Sequence, residues 1–310
     1  MEKNKDVVMT VEGLTKVFKS GIINPEYTVA AKDVSFDIKR GEIISLIGES
    51  GSGKTTVGKL ILKLIKISEG KIKYKGKDIT EINNKAEVKK YYRRVQGIFQ
   101  DPFATFNPLY RVDRIFDMIF DSFDLNYKNK SQAIKEALDD VNLNPDRTLG
   151  KFPHQLSGGQ LQRLLIARAL LMDVDILVAD ELISMLDAST RIGVLNLLVE
   201  SCKKHGMAVV FITHDLNLGY YVSDKSLIMY KGRLVERGNT KKIYENPIHP
   251  YTKMLFKAVP EIGERWDQDV EFIPEQVIND VNEFYNNNEG KGFVEIEEDH
   301  SVLFSDKEYK

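Results

Sequence analysis

A glycine-rich motif, Gly-Glu-Ser-Gly-Ser-Gly-Lys-Thr at residues 48–55, constrains this chain more than any other feature. The pattern G-x-x-x-x-G-K-[ST] requires a buried strand before it and a helix after it, and the apolar run at residues 43–47 supplies the strand. In that setting the glycines let the backbone form a nest of N–H groups around phosphate oxygens, with the positive end of the helix pointing at them. An ordinary glycine-rich turn is the alternative, but four fixed positions between a strand and a helix favour nucleotide binding.

The side chains of this P-loop, residues 48–55, have separate predicted tasks. Lys54 would reach the β- and γ-phosphates, and the Thr55 hydroxyl would bind Mg²⁺. The residues predicted to contact the nucleotide are Gly48, Glu49, Ser50, Gly51, Ser52, Gly53, Lys54, Thr55 and Thr56. The motif therefore predicts a site for a nucleotide and Mg²⁺ together.

The bulk composition is ordinary for a soluble globular protein and disfavours several other classes. A chain of 310 residues suits one large domain or one domain with an appendage, and a net charge of -2 gives no drive toward nucleic acid. The single cysteine, Cys202, excludes an internal disulfide and a Cys₄ metal site, and we expect it to be buried in a helix. Neither a signal peptide nor an apolar run of about 20 residues is evident, so we expect any membrane association to go through a partner.

Hydrophobic periodicity divides the chain into strands, a helical middle and a further set of strands. Short apolar or alternating runs are typical of strands. They lie at residues 7–11, 34–38, 72–74, 176–179, 208–212 and, as a hairpin, 227–235. Between them the spacing predicts helices from about residue 110, including one at 159–172, so we expect an α/β core with a small helical subdomain. The tail from about residue 261 is acidic and polar, with a predicted loop at 286–290.

One predicted helix carries a broad apolar stripe. Its bulky residues are Val112, Ile115, Phe116, Ile119, Phe120 and Phe123. Exposed apolar patches often mark partner sites, and this stripe has more apolar bulk than the core of a small subdomain needs. Internal packing of all six residues is the alternative, and it stays open at this point.

Two carboxylates, Asp180 and Glu181, follow the predicted strand at 176–179. A carboxylate at a strand end beside a P-loop can hold the Mg²⁺ that bridges the β- and γ-phosphates, which is the role predicted for Asp180. Glu181 would take a proton from the attacking water. A helix cap or a solvated corner is the alternative, and the upstream P-loop favours the functional interpretation.

A second candidate phosphate site is Leu-Ser-Gly-Gly-Gln at residues 156–160, a turn that leads into a helix. By itself, Ser157 would be an ordinary helix N-cap. Four features occur in order along the chain, however: the P-loop, this signature motif, the Asp-Glu pair and His214. With this order of motifs, residues 7–260 resemble the ATP-binding cassette (ABC) ATPases. The resemblance implies that the chain binds and hydrolyses ATP.

The resemblance also implies roles across a dimer. In this family the signature motif closes on the ATP that the partner subunit holds, so Ser157, Gly158 and Gly159 would act in trans. Gln160, the last residue of the motif, is also predicted to bind the nucleotide. Two such chains would then form a head-to-tail dimer with two ATP molecules between them.

Four further residues match functional positions of the family. Gln100 would contact Mg²⁺ and the attacking water, and the switch residue His214 would contact the γ-phosphate. Phe18 would stack on adenine, with Tyr27 as the alternative, and the segment 21–27 looks like an insertion. Asp187 matches the aspartate that ends the loop after the catalytic glutamate, and it would contact the nucleotide site.

That loop departs from the family pattern Pro-Thr-Ser-Ala-Leu-Asp. Leu182, Ile183 and Met185 replace its proline, threonine and alanine. We expect the added bulk to lie where two subunits meet and to suit a non-identical partner ATPase. Because Glu181 and His214 remain, we expect an active site.

Two stretches resemble the oligopeptide and dipeptide importer branch of the family: residues 100–108, and Asn-Pro-Ile-His-Pro-Tyr-Thr at 246–252. The second lies outside the nucleotide chemistry and begins a C-terminal extension typical of that branch. Some members carry a cysteine cluster there for an iron–sulfur centre. No cysteine follows Cys202, so we expect no such centre.

The resemblance implies an α/β fold: a P-loop (RecA-like) ABC ATPase core with an antiparallel β subdomain, an α-helical signature subdomain and a C-terminal extension. The ATPase domain would span residues 1–260, with the helical subdomain at about 101–172 and the extension at 261–310.

The implied function is the ATPase subunit of a multi-subunit importer of oligopeptides or dipeptides, peripheral on the cytoplasmic face of a prokaryotic membrane. Its partners would be two membrane permeases, a second and non-identical ABC ATPase, and an external substrate-binding protein, with no nucleic acid. Importers of oligosaccharides or nickel in the same branch are the alternatives, followed by a soluble ABC ATPase that acts on DNA or the ribosome.

Overall fold

The fold is described from a computed structural model covering residues 6–21, 25–258, 275–287 and 292–304. Several predictions from the sequence fall partly outside these described residues. They concern the N-terminal start at 1–5, the insertion at 22–24 and the tail at 259–274, 288–291 and 305–310.

Strands and helices alternate along most of the described chain. The strands are β1 (Val7–Ser20), β2 (Glu26–Lys39), β3 (Ile43–Ile47), β4 (Glu69–Tyr74), β5 (Lys77–Asp78), β6 (Val95–Ile98), β7 (Ile176–Asp180), β8 (Ala208–Thr213), β9 (Lys225–Tyr230), β10 (Arg233–Asn239), β11 (Phe293–Glu297) and β12 (His300–Leu303). The helices are α1 (Lys54–Ile61), α2 (Lys85–Arg94), α3 (Pro102–Thr105), α4 (Arg114–Ser122), α5 (Lys130–Asp140), α6 (Pro145–Thr148), α7 (Gly158–Leu171), α8 (Ala188–His205), α9 (Leu216–Val222), α10 (Thr240–Glu245), α11 (Pro250–Lys257) and α12 (Glu275–Asn287).

The larger sheet has eight strands within the described ranges, in the order β11-β12-β10-β9-β3-β8-β7-β6. Its centre is parallel, and β3, β7 and β8 are buried at every residue, as their apolar sequences predict. Ile47 pairs with Thr213, and Asp180 pairs with Ile212. The ends of β3, β7 and β8 therefore meet at one edge of the sheet, which we call the carboxyl edge.

A separate antiparallel sheet has the order β2-β1-β4-β5 among the described residues. Its strands β1 and β2 pair over their full lengths, well beyond the predicted runs at 7–11 and 34–38, because bulges at several points break the alternation on which those predictions rest. Met9 and Val11 of β1 share a buried core with Ile44 and Leu46 of β3. This core places the β1–β2 hairpin beside the strand that leads into the P-loop.

Helices α3 to α7 lie between β6 and β7, and α7 agrees with the predicted helix at 159–172. The apolar stripe around α4 is internal: four of its residues are buried, and Phe120 and Phe123 pack against the same core. The interpretation of this stripe as surplus apolar surface is therefore wrong, since α4 turns it toward the subdomain core. Exposed apolar side chains of this subdomain are instead Phe103, Leu109, Tyr110, Met118 and Tyr127.

The C-terminal region continues the larger sheet. The predicted β9–β10 hairpin is present, β10 also pairs with β12, and β12 pairs with β11. The predicted loop at 286–290 is helical at its first two residues, which end α12, and its remaining residues lie outside the described ones. A third core joins Ile47, directly before the P-loop, to Tyr251, Val281, Tyr285 and Leu303. Residues of α11, α12 and β12 thus pack onto the strand that carries the P-loop.

Two further expectations concern burial and membranes. Cys202 is buried in α8, as predicted, with its Sγ 2.8 Å from the carbonyl oxygen of Met207. Burial raises the pKa of this thiol to about 12. In the part of the chain that the structure describes, no helix combines the length and apolar character that crossing a membrane requires.

Candidate ATP-binding and hydrolysis site

The P-loop follows β3 directly and is wedged between two other strands. A Cβ on Gly48 would lie 2.2 Å from the carbonyl oxygen of Met229 in β9, and one on Gly53 would lie 2.2 Å from that of Ala30 in β2. Gly53 also has a φ of 100°, which favours glycine. Both positions therefore require glycine, because the backbone of the β1–β2 hairpin and that of β9 both lie close to the loop.

Lys54 begins α1 and folds back over the P-loop. Its Nζ donates to the carbonyl oxygens of Gly48 and Glu49, each at 2.7 Å. Only 7% of Lys54 is exposed. This burial lowers the pKa of its ammonium group, and the charges of Glu181 and Asp180 oppose that effect. A positive charge held in this way favours a phosphate group as its partner.

Thr55 and Asp180 meet at the carboxyl edge. The Thr55 hydroxyl donates to Asp180 Oδ1 at 3.3 Å. Burial raises the pKa of Asp180, while the Thr55 hydrogen bond lowers it. Mg²⁺ in such sites takes one or two protein oxygens together with substrate phosphates and water. The hydroxyl and the carboxylate fit this donor set.

Glu181 and His214 form a side-chain pair next to Asp180. Glu181 follows β7 and His214 follows β8, and Glu181 Oε1 lies 2.8 Å from His214 Nδ1. Glu181 has a φ of 52°, uncommon for a residue other than glycine, and its N–H donates to the carbonyl oxygen of Ile212 at 3.0 Å. The left-handed turn and this hydrogen bond bring the carboxylate to the histidine.

Gln100 and the adenine candidates lie around this cluster. Gln100 is exposed and comes two residues after Ile98, which pairs with Ala179, so it follows the same carboxyl edge. Phe18 and Tyr27 both lie on the β1–β2 hairpin, with exposed fractions of 41% and 64%. Both rings are therefore accessible on the hairpin that touches Gly53.

The signature motif forms the capped start of α7. Ser157 Oγ accepts from the N–H of Gln160 at 3.3 Å, and Gln160 Oε1 accepts from the N–H of Ser157 at 2.9 Å. This is a capping box, so the N-cap expected of an isolated Ser157 is present. A Cβ on Gly159 would lie 2.3 Å from Thr190 Cγ2, and Gly159 therefore permits close packing of α7 on α8.

Asp187 is the N-cap of α8, beside the signature motif. Its Oδ1 accepts from the Ser189 hydroxyl at 2.5 Å and from the N–H of Thr190 at 3.0 Å. These hydrogen bonds lower the pKa of Asp187 to about 2. We call Ser157, Gln160, Asp187 and Thr190 the signature cluster.

The loop between β7 and α8 corrects one expectation. Leu182 and Ile183 are 0% and 3% exposed and belong to the helical core, whereas Met185 is 60% exposed. The expectation that Leu182 adds bulk to a subunit interface is therefore wrong, because its side chain points into the core. Of the three residues that differ from the family pattern, Met185 is the one whose side chain is exposed.

Apart from Gln100 and the adenine candidates, the predicted site residues fall into two sets. The P-loop, Asp180, Glu181 and His214 are in contact along the carboxyl edge. The signature cluster is held separately by the packing of α7 on α8.

The sequence analysis missed one contact of the P-loop. The N–H of Glu49 donates to the hydroxyl oxygen of Tyr251 at 3.0 Å. Tyr251 lies in the stretch 246–252, which served only as a marker of the importer branch. The unusual composition of this stretch was the signal that the sequence offered. No local pattern, however, indicates a contact between Tyr251 and Glu49, which lies 202 residues earlier.

Comparisons with known proteins identify the family of this chain. The ABC transporter family matches residues 31–184, and the family "Oligopeptide/dipeptide transporter, C-terminal region" matches residues 235–295. The oligopeptide transport ATP-binding protein OppF of Bacillus subtilis is 40% identical over 251 residues, which cover 79% of this chain and 81% of that protein. OppF of Streptococcus pyogenes serotype M1 is 43% identical over 253 residues, 80% of this chain and 82% of that protein.

Solved structures show the same fold. cbiO1 from Clostridium perfringens, part of the ABC transporter complex cbiONQ, aligns with a TM-score of 0.67 at 26% identity, over 78% of this chain and 92% of that one. The dimeric post-hydrolysis state of the ATP-binding cassette MJ0796, bound to ADP and Pi, aligns with a TM-score of 0.65 at 27% identity, over 75% and 98%.

The chain therefore belongs to the ABC transporter family and is an ATPase with the α/β P-loop fold of its cassettes. Within that family it belongs to the ATP-binding subunits of the oligopeptide/dipeptide branch. The predicted fold class and the predicted branch are both confirmed.

Proposed function

We propose that this chain is the ATP-hydrolysing subunit of a multi-subunit importer of oligopeptides or dipeptides. The observation that carries the proposal is the convergence of Lys54, the Thr55–Asp180 contact and the Glu181–His214 pair at the carboxyl edge. Together they provide a phosphate-binding charge, oxygen ligands for Mg²⁺ and a base, which are the parts that phosphoryl transfer to water requires. The peptide cargo is proposed from the OppF relatives.

Nucleotide binding would begin at the P-loop. Lys54 would exchange its bonds to the carbonyl oxygens of Gly48 and Glu49 for bonds to the β- and γ-phosphates, because a phosphate is the stronger partner of an ammonium group. The N–H groups at the start of α1 would donate to the same phosphates. Mg²⁺, held through Thr55 and Asp180, would neutralise charge on the β- and γ-oxygens.

Hydrolysis requires a positioned water and a proton acceptor. We assign the acceptor to Glu181, whose Oε1 is paired with His214 and whose second oxygen can accept the proton of the water. Nδ1 of His214 faces Glu181, which leaves Nε2 for the γ-phosphate contact proposed for this histidine. Gln100, at the same edge, would contact both the water and the metal ion.

The signature cluster would act on the nucleotide of a second subunit. This is supported by the hydrogen bonds of its side chains, each of which spans only two or three residues along the chain. The cassette MJ0796 is dimeric in its ADP-bound and Pi-bound state. ATP binding would close two subunits on each other, and hydrolysis would open them.

The membrane partners would dock near Gln100. Phe103 and Leu109 follow it in the chain and are 47% and 80% exposed, which leaves apolar surface for a permease. We place the chain on the cytoplasmic face of a prokaryotic membrane, with two permeases, a second ABC ATPase and an external substrate-binding protein. The OppF relatives, which are oligopeptide transport ATP-binding proteins of bacteria, support a role in transport and a prokaryotic origin.

Uptake of a labelled oligopeptide by cells tests the importer assignment. Cells that lack this chain should regain uptake with the unaltered chain and not with Lys54→Ala, which loses the charge on the phosphates. Labelled nickel and a labelled oligosaccharide serve as comparison cargoes. Restored uptake of one of these without the peptide would reassign the cargo, and full uptake with Lys54→Ala would contradict ATP-driven import.

A further inference from the structure

One peptide group of the P-loop is held from both sides. The carbonyl oxygen of Gly48 accepts from Lys54 Nζ at 2.7 Å. The N–H of Glu49, which belongs to the same planar peptide unit, donates to the hydroxyl oxygen of Tyr251 at 3.0 Å. The phosphate-binding lysine and a tyrosine of the C-terminal region therefore fix the orientation of this peptide together.

Tyr251 itself is held tightly. It is 0% exposed, and its ring lies 4.3 Å from the ring of Tyr230 in β9, centroid to centroid, with an angle of 31° between the planes. Its N–H donates to Nδ1 of His249, the N-cap of α11, at 3.1 Å. A close-packed aromatic side chain of this kind keeps its hydroxyl at one place.

A buried polar network connects the start of α11 to the rest of the C-terminal region. The carboxylate of Glu236 in β10 accepts from the N–H groups of Ile248 and His249 at 3.0 and 3.1 Å. The same carboxylate lies 2.7 Å from His300 Nε2 in β12. His249 Nε2 lies 2.9 Å from the Tyr285 hydroxyl in α12. The segment that carries Tyr251 is thus anchored to β10, β12 and α12.

A buried tyrosine hydroxyl needs a hydrogen-bond partner in any case, so a second tyrosine provides the comparison. The hydroxyl of Tyr244, packed against the same core, donates to the carbonyl oxygen of Leu216 at 2.6 Å. That bond joins α10 to the start of α9, neither of which contributes to the P-loop. Tyr251 differs because its partner is a main-chain N–H of the phosphate-binding loop.

We propose that Tyr251 is a positioning residue of the ATP site, whose hydroxyl holds the Gly48–Glu49 peptide in the orientation that phosphate binding uses. A loop that is already ordered loses less freedom when the nucleotide binds, and its affinity is higher for that reason. The inference rests on the proposed nucleotide contacts of the P-loop. It adds the C-terminal region as the part of the chain that sets their geometry.

The substitution Tyr251→Phe tests this, because it removes the hydroxyl and keeps the buried ring. Tyr244→Phe is the matched control, since it removes a hydroxyl with a main-chain partner from the same core. In calorimetric titrations of the full chain, MgADP should bind Tyr251→Phe about fivefold more weakly, the usual effect of one lost hydrogen bond. Tyr244→Phe should bind it like the unaltered chain. The KM for ATP should rise to the same extent with kcat retained.

Two outcomes would overturn the inference: unaltered MgADP affinity in Tyr251→Phe, or equal losses in both variants at equal melting temperatures. Amide hydrogen exchange of residues 48–55 without nucleotide gives a second readout. It should be faster in Tyr251→Phe than in Tyr244→Phe, and equal rates would also overturn the inference. If the unaltered chain did not bind MgADP, the proposed function would fail, and the exchange rates would still decide the role of Tyr251.

Discussion

The carboxyl edge and the signature cluster belong to one chain but are built differently. At the carboxyl edge, Lys54 and Asp180 are each only 7% exposed, and the contact between Thr55 and Asp180 joins residues 125 positions apart. In the signature cluster, Ser157 and Asp187 are exposed, and the hydrogen bonds of their side chains reach no further than three residues along the chain.

The difference supports our proposal that the carboxyl edge is complete within a single subunit and that the signature cluster acts on a second one. At the carboxyl edge, hydrogen bonds join side chains that follow different strands, as in a site that is ordered before its own nucleotide binds. The signature cluster presents a capped, exposed helix N-terminus, which can attract an anion that another molecule holds. Changes at the carboxyl edge should therefore affect the subunit's own nucleotide, and changes in the signature cluster should affect only the closed dimer.

Glu181→Gln should produce the largest effect and test the carboxyl edge. Without the base, ATP turnover should fall by roughly 10²–10⁴, measured as phosphate release. MgATP affinity should remain, because the P-loop and the Thr55–Asp180 pair are intact. The same substitution at the exposed Glu200 of α8 is the control and should leave turnover unchanged. Turnover of Glu181→Gln near that of the unaltered chain would refute the assignment.

Gly159→Ala should have a smaller effect and test the signature cluster. The new Cβ would lie 2.3 Å from Thr190 Cγ2 and push α7 away from α8, at a cost of about 1–3 kcal/mol typical of overpacking. ATP-dependent dimerisation, measured by light scattering, should weaken, while a single subunit should bind MgADP normally. Adding Thr190→Ser, which removes the clashing methyl group, should restore dimerisation. If Gly159→Ala instead weakened the binding of MgADP to a single subunit, the signature cluster would contribute to the subunit's own nucleotide site. That result would contradict the separation of the two sets.

The smallest effect should come from His300, which lies far along the chain from both sets. The hydrogen bond to Glu236 raises the pKa of His300 above its ordinary value of 6.5, and Glu297 adds to the effect. The protonated histidine therefore stabilises the fold fully below about pH 6.5, and this contribution is lost as pH rises through the raised pKa. Urea unfolding should show this decline in the unaltered chain and less of it in His300→Gln. Parallel pH profiles would contradict the buried ion pair.

Much of the carboxyl edge could be predicted from the sequence, because its information is local. The P-loop encodes its own turn and helix start, and the all-apolar runs identify β3, β7 and β8 as buried parallel strands. A carboxylate at the end of a strand beside the P-loop can reach the nucleotide, so Asp180 and Glu181 could be assigned to one site before their contacts were known. His214 was assigned to the same site through the resemblance to the ABC ATPases.

The remaining features depend on packing between distant segments, which periodicity does not encode. The stripe around α4 has a helical period, yet the period does not tell which neighbour covers it, and α4 buries it inside the subdomain. Leu182 looked like interface bulk because the loop was compared residue by residue with a family pattern, whereas its side chain enters the core. The contact of Tyr251 with Glu49 requires the whole C-terminal region to fold onto β3.

The most direct test of the account asks whether the two sets of one chain serve two different nucleotides. Lys54→Ala and Ser157→Arg are each placed in a Glu181→Gln chain so that ATP-closed dimers persist, and their masses are measured by analytical ultracentrifugation with MgATP. Glu181→Gln alone, the control, should dimerise, and each double variant alone should stay monomeric. Their mixture should form a dimer of one copy of each, because the intact P-loop of one copy meets the intact signature cluster of the other. If Glu181→Gln alone dimerised but the mixture of the two double variants stayed monomeric, the result would contradict the account.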